Sequence, residues 1–148
     1  MCRILLTVLS VLCWSPIGLA GSGDAKKDLD SLQGTWEVTK ATFEGKEKGP
    51  ATEVKKLVFK GTQIIHLGDD KSEEPLLVEL DPKQKPRAID LWKDFDGEKR
   101  GPIRGIYQVD GDSLKLCWSV KIDGPRPKDF APKAKSLQVY MELRRVKK

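Results

Sequence analysis

The sequence predicts an all-β fold: an eight-stranded up-and-down antiparallel barrel that follows an export signal. Three observations point there. Apolar and polar residues alternate over short runs between Thr35 and Leu143, which is the period of a half-buried strand. Nearly all of these runs are joined by short polar turns, as in strands that pair with their chain neighbours. No segment combines helical periodicity with the length of a crossover helix, so parallel βαβ architecture is disfavoured. Closing a meander of about eight strands removes its edges and leaves an interior for side chains or one small ligand. A flattened two-sheet sandwich is the alternative.

The length of 148 residues suits one domain, and residues 1–20 are set apart from it as a signal peptide. Met1-Cys2-Arg3 is a short positive start, Ile4 to Trp14 is almost wholly apolar, and Pro16 breaks the run. Gly18-Leu19-Ala20 then places small residues where a signal peptidase reads. The apolar stretch is too short to span a bilayer, although an uncleaved anchor is the competing explanation. Leu12 before Cys13 is too large for a lipid-attachment site, so lipidation is not expected. Cleavage after Ala20 gives a mature chain that starts at Gly21. Its expected location is extracytoplasmic (periplasmic or secreted), with no stable membrane span.

Residues 21–33 read as a lead-in, in which Leu29 and Leu32 follow the acidic Asp28 at helical spacing and predict one short helical turn. Residues 34–148 form the barrel domain. Its first strand, Thr35 to Glu44, has Trp36 and Val38 on one face, and Phe43 is in phase with them only if a bulge or bend lies near Lys40-Ala41. Val54 to Lys60 and Gln63 to Leu67 flank the tight turn Lys60-Gly61-Thr62. Pro75 to Asp81 puts Leu76, Val78 and Leu80 on a shared face, and Arg87 to Lys93 alternates Ile89 and Leu91 with charge. Asp96-Gly97 reads as the start of a loop. Ile103 to Val109 and Ser113 to Val120 form a hairpin about Asp110-Gly111-Asp112, a strong turn signal. Leu137, Val139, Met141 and Leu143 close the series with a period of two.

Parity predicts one long-range contact. Arg145 continues the inward set of the last strand, whose end lies beside the start of the first in a closed antiparallel barrel. That brings Arg145 to Trp36, guanidinium over indole, as a structural plug. The simpler alternative is a charge that emerges into solvent.

Charge and cysteines exclude more than they identify. The 27 basic and 22 acidic residues give +5; the leader holds only Arg3, which leaves the mature chain at +4. The basic residues are scattered apart from the cluster Arg144-Arg145-Val146-Lys147-Lys148, which reads as a solvated tail. Export argues against nucleic acid as a partner, while unspecific attraction to an anionic polymer or membrane surface is open. Loss of Cys2 and Cys13 with the leader leaves Cys117 alone, so the fold must stand on its core without an internal disulfide. Cys117 lies in a strand-like run and reads as a small apolar filler.

No catalytic constellation is legible, and neither a metal site nor a cofactor is expected. His66 is the only histidine, so no zinc motif is available, and a nucleophilic Cys117 would have His66 as its only candidate histidine base. Asp94-Phe95-Asp96-Gly97-Glu98 resembles part of a calcium loop whose remaining ligands are missing. Asp69-Asp70 and Glu73-Glu74 read as solvated loop charge. Residues 121–136 form a long proline-rich connection that carries Arg126 and Phe130, the kind of segment that makes either a lid or a packed flap. The packed flap, with Phe130 capping the barrel and Arg126 bonded to backbone carbonyls, is favoured.

Leu32-Gln33-Gly34-Thr35-Trp36, with a late Arg145, resembles the Gly-x-Trp opening of lipocalin-type barrels. A longer likeness runs from about Leu29 to Val146. It takes in Leu80-Asp81-Pro82, Lys85-Pro86-Arg87-Ala88-Ile89-Asp90-Leu91, Gly105 to Cys117, Arg126-Pro127-Lys128-Asp129-Phe130 and Leu143-Arg144-Arg145-Val146. On these motifs the chain is similar to an uncharacterised, mostly exported domain family expanded in planctomycete bacteria. That resemblance implies a lipocalin-like barrel and an extracytoplasmic location, and it implies no established activity. The chain departs from lipocalins proper in being short and in lacking a disulfide pair.

Two functions remain in view. One is an exported, non-enzymatic binding module holding a small apolar or amphipathic ligand at the barrel or its open end. Tyr107, Trp118 and Phe130 would give it aromatic surface, and Arg126 a charged anchor. The alternative is a solid-core structural or protein/polymer-interaction module of the cell envelope.

Overall fold

The computed structural model describes residues 22–49, 51–68 and 75–148. The signal peptide expected at 1–20 and the acidic pairs Asp69-Asp70 and Glu73-Glu74 lie outside those residues. The chain forms helix α1 (Ser22–Leu32) followed by strands β1 (Gly34–Phe43), β2 (Lys56–Lys60), β3 (Gln63–Leu67), β4 (Leu76–Asp81), β5 (Arg87–Phe95), β6 (Glu98–Asp110), β7 (Ser113–Ser119) and β8 (Gln138–Arg145). All eight strands pair antiparallel in sequence order, and β8 returns to β1 to close the barrel.

The period-two alternation decides which side chains are enclosed. Trp36, Leu57, Phe59, Ile64, Val78, Ile89, Leu91, Tyr107, Leu114, Leu116, Trp118, Val139, Met141 and Leu143 belong to one buried cluster inside the cylinder. The phase change anticipated in β1 is a bulge: the β1–β8 register slips between Val38 and Lys40, one residue earlier than the sequence suggested. Beyond it Ala41 and Phe43 regain the inward phase opposite Met141 and Val139.

The lead-in is more ordered than expected. Instead of one turn it makes an 11-residue helix, about three turns, and this helix lies across the end of the barrel where β1 begins. Leu32 is fully buried, and Leu29 packs beside it against the interior cluster. The helix ends where Gly34 takes φ +110°, a conformation that favours glycine, and the chain turns there into β1. Gln33 fastens the joint: its side-chain amide donates to Gly61 O (2.9 Å) and its Oε1 accepts from Gly61 N (2.7 Å) at the β2–β3 turn.

The segment after Asp96-Gly97 is a strand rather than a loop. Phe95 pairs with Glu98 across a two-residue turn in which Asp96 (φ 51°) and Gly97 (φ 85°) are both left-handed, and β6 starts at Glu98. Its first residues, Glu98-Lys99-Arg100-Gly101-Pro102, lack apolar alternation. They are held instead by side chains on the strand wall. The Lys93 ammonium and the Arg100 guanidinium lie 4.6 and 4.8 Å from the Phe95 ring centroid. Pro102 follows a register shift between Leu91 and Lys93, the type of irregularity at which a sheet tolerates proline.

One seam of the cylinder is short. β3 and β4 share only Gln63↔Leu77 and Ile64↔Leu76, supplemented by a hydrogen bond from Val78 N to Thr62 O (2.8 Å). The other seams align four to eight residue pairs.

Candidate functional site

The plug sits as parity predicted. Trp36 pairs with Arg145 in the β1–β8 register, and the guanidinium carbon lies 4.2 Å from the indole ring centroid. The indole Nε1 donates to Leu32 O (2.8 Å). Arg145 donates Nη1 to Gln33 O (2.6 Å) and Nη2 to Ser31 O (2.5 Å), and its Nε meets Asp112 (3.2 Å). These bonds satisfy the helix's terminal carbonyls with a cation, which is also where the helix dipole favours positive charge.

The four residues proposed for a ligand divide between places. Trp118 points into the barrel, where it stacks on His66 at 6.0 Å between centroids and 8° between planes. Tyr107 is also enclosed, nearer the helix, and its hydroxyl donates to Asp28 Oδ2 (2.5 Å). Burial first, and the Asp28 hydrogen bond second, raise this phenol well above its ordinary range. Phe130 lies on the outside wall against Ile106, Cys117 and Tyr140. Arg126 lies outside too, bonded to Gly105 O (2.7 Å) and paired with Asp90 (2.8 Å).

Residues 121–136 are therefore a packed flap, as favoured, but on the outer wall rather than across a mouth, and Phe130 does not cap the barrel. The cause is legible in strand parity. Ile106, Cys117 and Tyr140 are cross-strand neighbours on the outward face of β6, β7 and β8. Apolar residues facing out need a cover, and Phe130 supplies it. Cys117, fully buried beneath, is a filler whose thiol burial pushes up to about 12, which suppresses its reactivity.

An open cleft runs over the rim of the barrel, past the end of β6, from α1 to the flap. It has two adjoining lobes that share Pro82, Arg87 and Val109. The larger, about 530 Å³, lies beside Asp24, Lys27, Asp28 and Ser31 of the helix. The smaller, about 370 Å³, is bounded by Gln84, Lys85, Pro86, Tyr107, Gln108 and Phe130. Tyr107, itself enclosed, and Phe130 thus border one lobe, while Trp118 and Arg126 lie elsewhere. Sequence reasoning missed Arg87, which stands between the lobes: its Nη1 meets Asp28 Oδ2 at 2.9 Å, and its side chain keeps 48% of its exposure. Among the described residues neither Lys27 nor Lys85 has an ion pair, and both are exposed where they line the cleft.

No group of three or more His, Cys, Asp or Glu among the described residues is placed to hold a metal ion. In the stretch that resembled part of a calcium loop, Asp94 Oδ1 accepts from Gly97 N (2.9 Å), a turn-stabilising role. Comparison of the chain with protein-family models, with curated proteins and with solved structures returned no match.

Proposed function

We propose that the mature chain is an exported, non-enzymatic interaction module of the cell envelope: a filled barrel that works through its outer surface. The supporting observation is the way the interior is occupied. Trp36, Leu57, Phe59, Ile89, Tyr107, Leu116 and Met141 all point inward at 2% exposure or less, and α1 lies across one end. Side chains of that size fill an eight-stranded barrel rather than leave it hollow. The long connection that resembled a lid is strapped by Arg126 to the outer wall and does not lie across the barrel's mouth. The close ionic groups serve the fold: Asp28 holds Arg87 and Tyr107 against the helix, and Asp90 holds the flap through Arg126.

Native mass spectrometry of protein isolated from its own envelope tests this reading. The expected spectrum is the mass of the cleaved chain with no bound small molecule. A stoichiometric apolar ligand released only on unfolding would overturn it. A second reading, a carrier of one small amphipathic molecule, is favoured by a single observation: Tyr107 and Phe130 border the same lobe of the outer cleft.

A further inference from the structure

We infer that the outer cleft between α1 and the flap binds a segment of acidic polysaccharide, with carboxylates at Lys27, Arg87 and Lys85 and sugar rings along the apolar stripe between them. The inference rests on the surface-module reading and names its ligand class.

The two lobes form one elongated groove because they share Pro82, Arg87 and Val109. An extended chain suits that shape better than a compact molecule does. The cations are spaced along it: Lys27 in the helix-side lobe, Arg87 where the lobes join, and Lys85 in the flap-side lobe. Arg87 spends one nitrogen on Asp28 and remains half exposed, so the rest of its fork is left to meet a carboxylate. Asp24 and Asp28 share the helix-side lobe. Asp28 is already engaged by Arg87 and Tyr107, and Asp24 lies toward the helix start, away from the flap-side lobe. Between the cations the surface is Pro82, Pro86, Val109 and the Phe130 ring, which suits the C–H faces of sugar rings. Gln84 and Gln108 add amide donors and acceptors for hydroxyls.

An acidic peptide is the nearest competitor, and the topology disfavours it. A bound peptide commonly gains affinity by adding a strand to an open sheet edge. Here β6 is paired with β7 throughout the groove and with β5 as far as Tyr107, and the stretch of Gln108 and Val109 beyond it is too short a free edge to take a strand. Recognition falls to side chains, and hence to a ligand whose hydroxyls and carboxylates project from its rings.

The test is calorimetric titration of the mature protein with a galacturonate oligomer, a neutral glucan oligomer of equal length, and poly-glutamate. The expected result is binding of the galacturonate oligomer alone, weakening with added salt. Lys27→Gln and Lys85→Gln should each weaken it by about fivefold, the scale of one charge-assisted contact. Lys40→Gln, on the outer face of β1, should leave it unchanged. Both cleft lysines are exposed and, among the described residues, without ion pairs, so their variants keep the fold, which the melting temperature verifies. Equal weakening by Lys40→Gln would show diffuse attraction and overturn the site. Preference for poly-glutamate would overturn the ligand class, and no binding at all would overturn the inference. Each of these leaves the surface-module reading standing if native mass spectrometry still shows an empty chain.

Discussion

Arg145, near the C-terminal end of the last strand, stacks on Trp36 near the start of the first, and from there it reaches the carbonyls that end the helix. One side chain therefore joins the closing seam of the barrel to the element covering its end. Trp36→Ala should lower unfolding stability by about 3–5 kcal/mol, the range for emptying a large buried aromatic site. Arg145→Lys keeps the charge but loses the planar fork, and should cost about 1–3 kcal/mol. Urea unfolding followed by tryptophan fluorescence measures both, and an unchanged midpoint for Trp36→Ala would remove the plug role.

The flap hangs on Arg126. Arg126→Ala leaves Asp90 and the Gly105 carbonyl without their partner, so the flap should lift while the barrel stays closed. Two readouts should change together. Trypsin should cut at lysines within 121–136, and a thiol reagent that ignores native Cys117 should begin to label it. The wild-type thiol, raised to about 12, is almost wholly protonated at pH 8 and lies under Phe130. Rapid labelling of the native wild type would contradict the burial.

Tyr107 ties the barrel to α1 and should make stability fall in alkali. Its phenol in the unfolded chain ionises near the ordinary value of 10.0, whereas the folded one is raised well above it. Above pH 10 the unfolded state thus holds fewer protons, and the contribution, whole below that pH, declines as pH climbs. Tyr107→Phe should cost about 1–2 kcal/mol at neutral pH through the lost bond to Asp28. It should also lessen the drop in urea midpoint between pH 9 and pH 11. Tyr140, raised by burial and by Glu142, keeps part of that drop in place.

Gly105 makes room for Trp118. It faces Trp118 across β6 and β7, and a Cβ there would meet Cys117 O and Trp118 Cβ at 2.9 Å and Ile89 Cγ2 at 3.1 Å. Gly105→Ala should cost about 1–3 kcal/mol by overpacking, measured as a lower thermal midpoint. A neutral result would mean that the β6–β7 pair can spread.

Much of this architecture was legible because period-two alternation reports both the strand and the side it faces. Arg145 could be placed on Trp36 from parity alone. Parity was also the signal that could have separated the four proposed ligand residues. Tyr107 and Trp118 share the inward phase, whereas Ile106, Cys117 and Tyr140 form an outward apolar row that called for Phe130 as its cover. The start of β6 was hidden because Glu98-Lys99-Arg100-Gly101-Pro102 has no apolar rhythm. Only Asp96-Gly97, a dipeptide suited to a turn with two left-handed residues, announced the hairpin. The length of α1 was hidden for a related reason: its buried contacts are concentrated at Leu29 and Leu32, so most of its turns carry no periodic signal. Arg87 was missed because its importance comes from lying between α1 and β6, which no spacing in the chain reveals.

The scant pairing of β3 with β4 has a mechanical consequence. A cylinder with one weak staple is a rolled sheet, and thermal fluctuation should part it along that line first. Amide protons of Gln63 and Leu77 should then exchange with deuterium sooner than those deep in β7, whose neighbours hold it on both flanks.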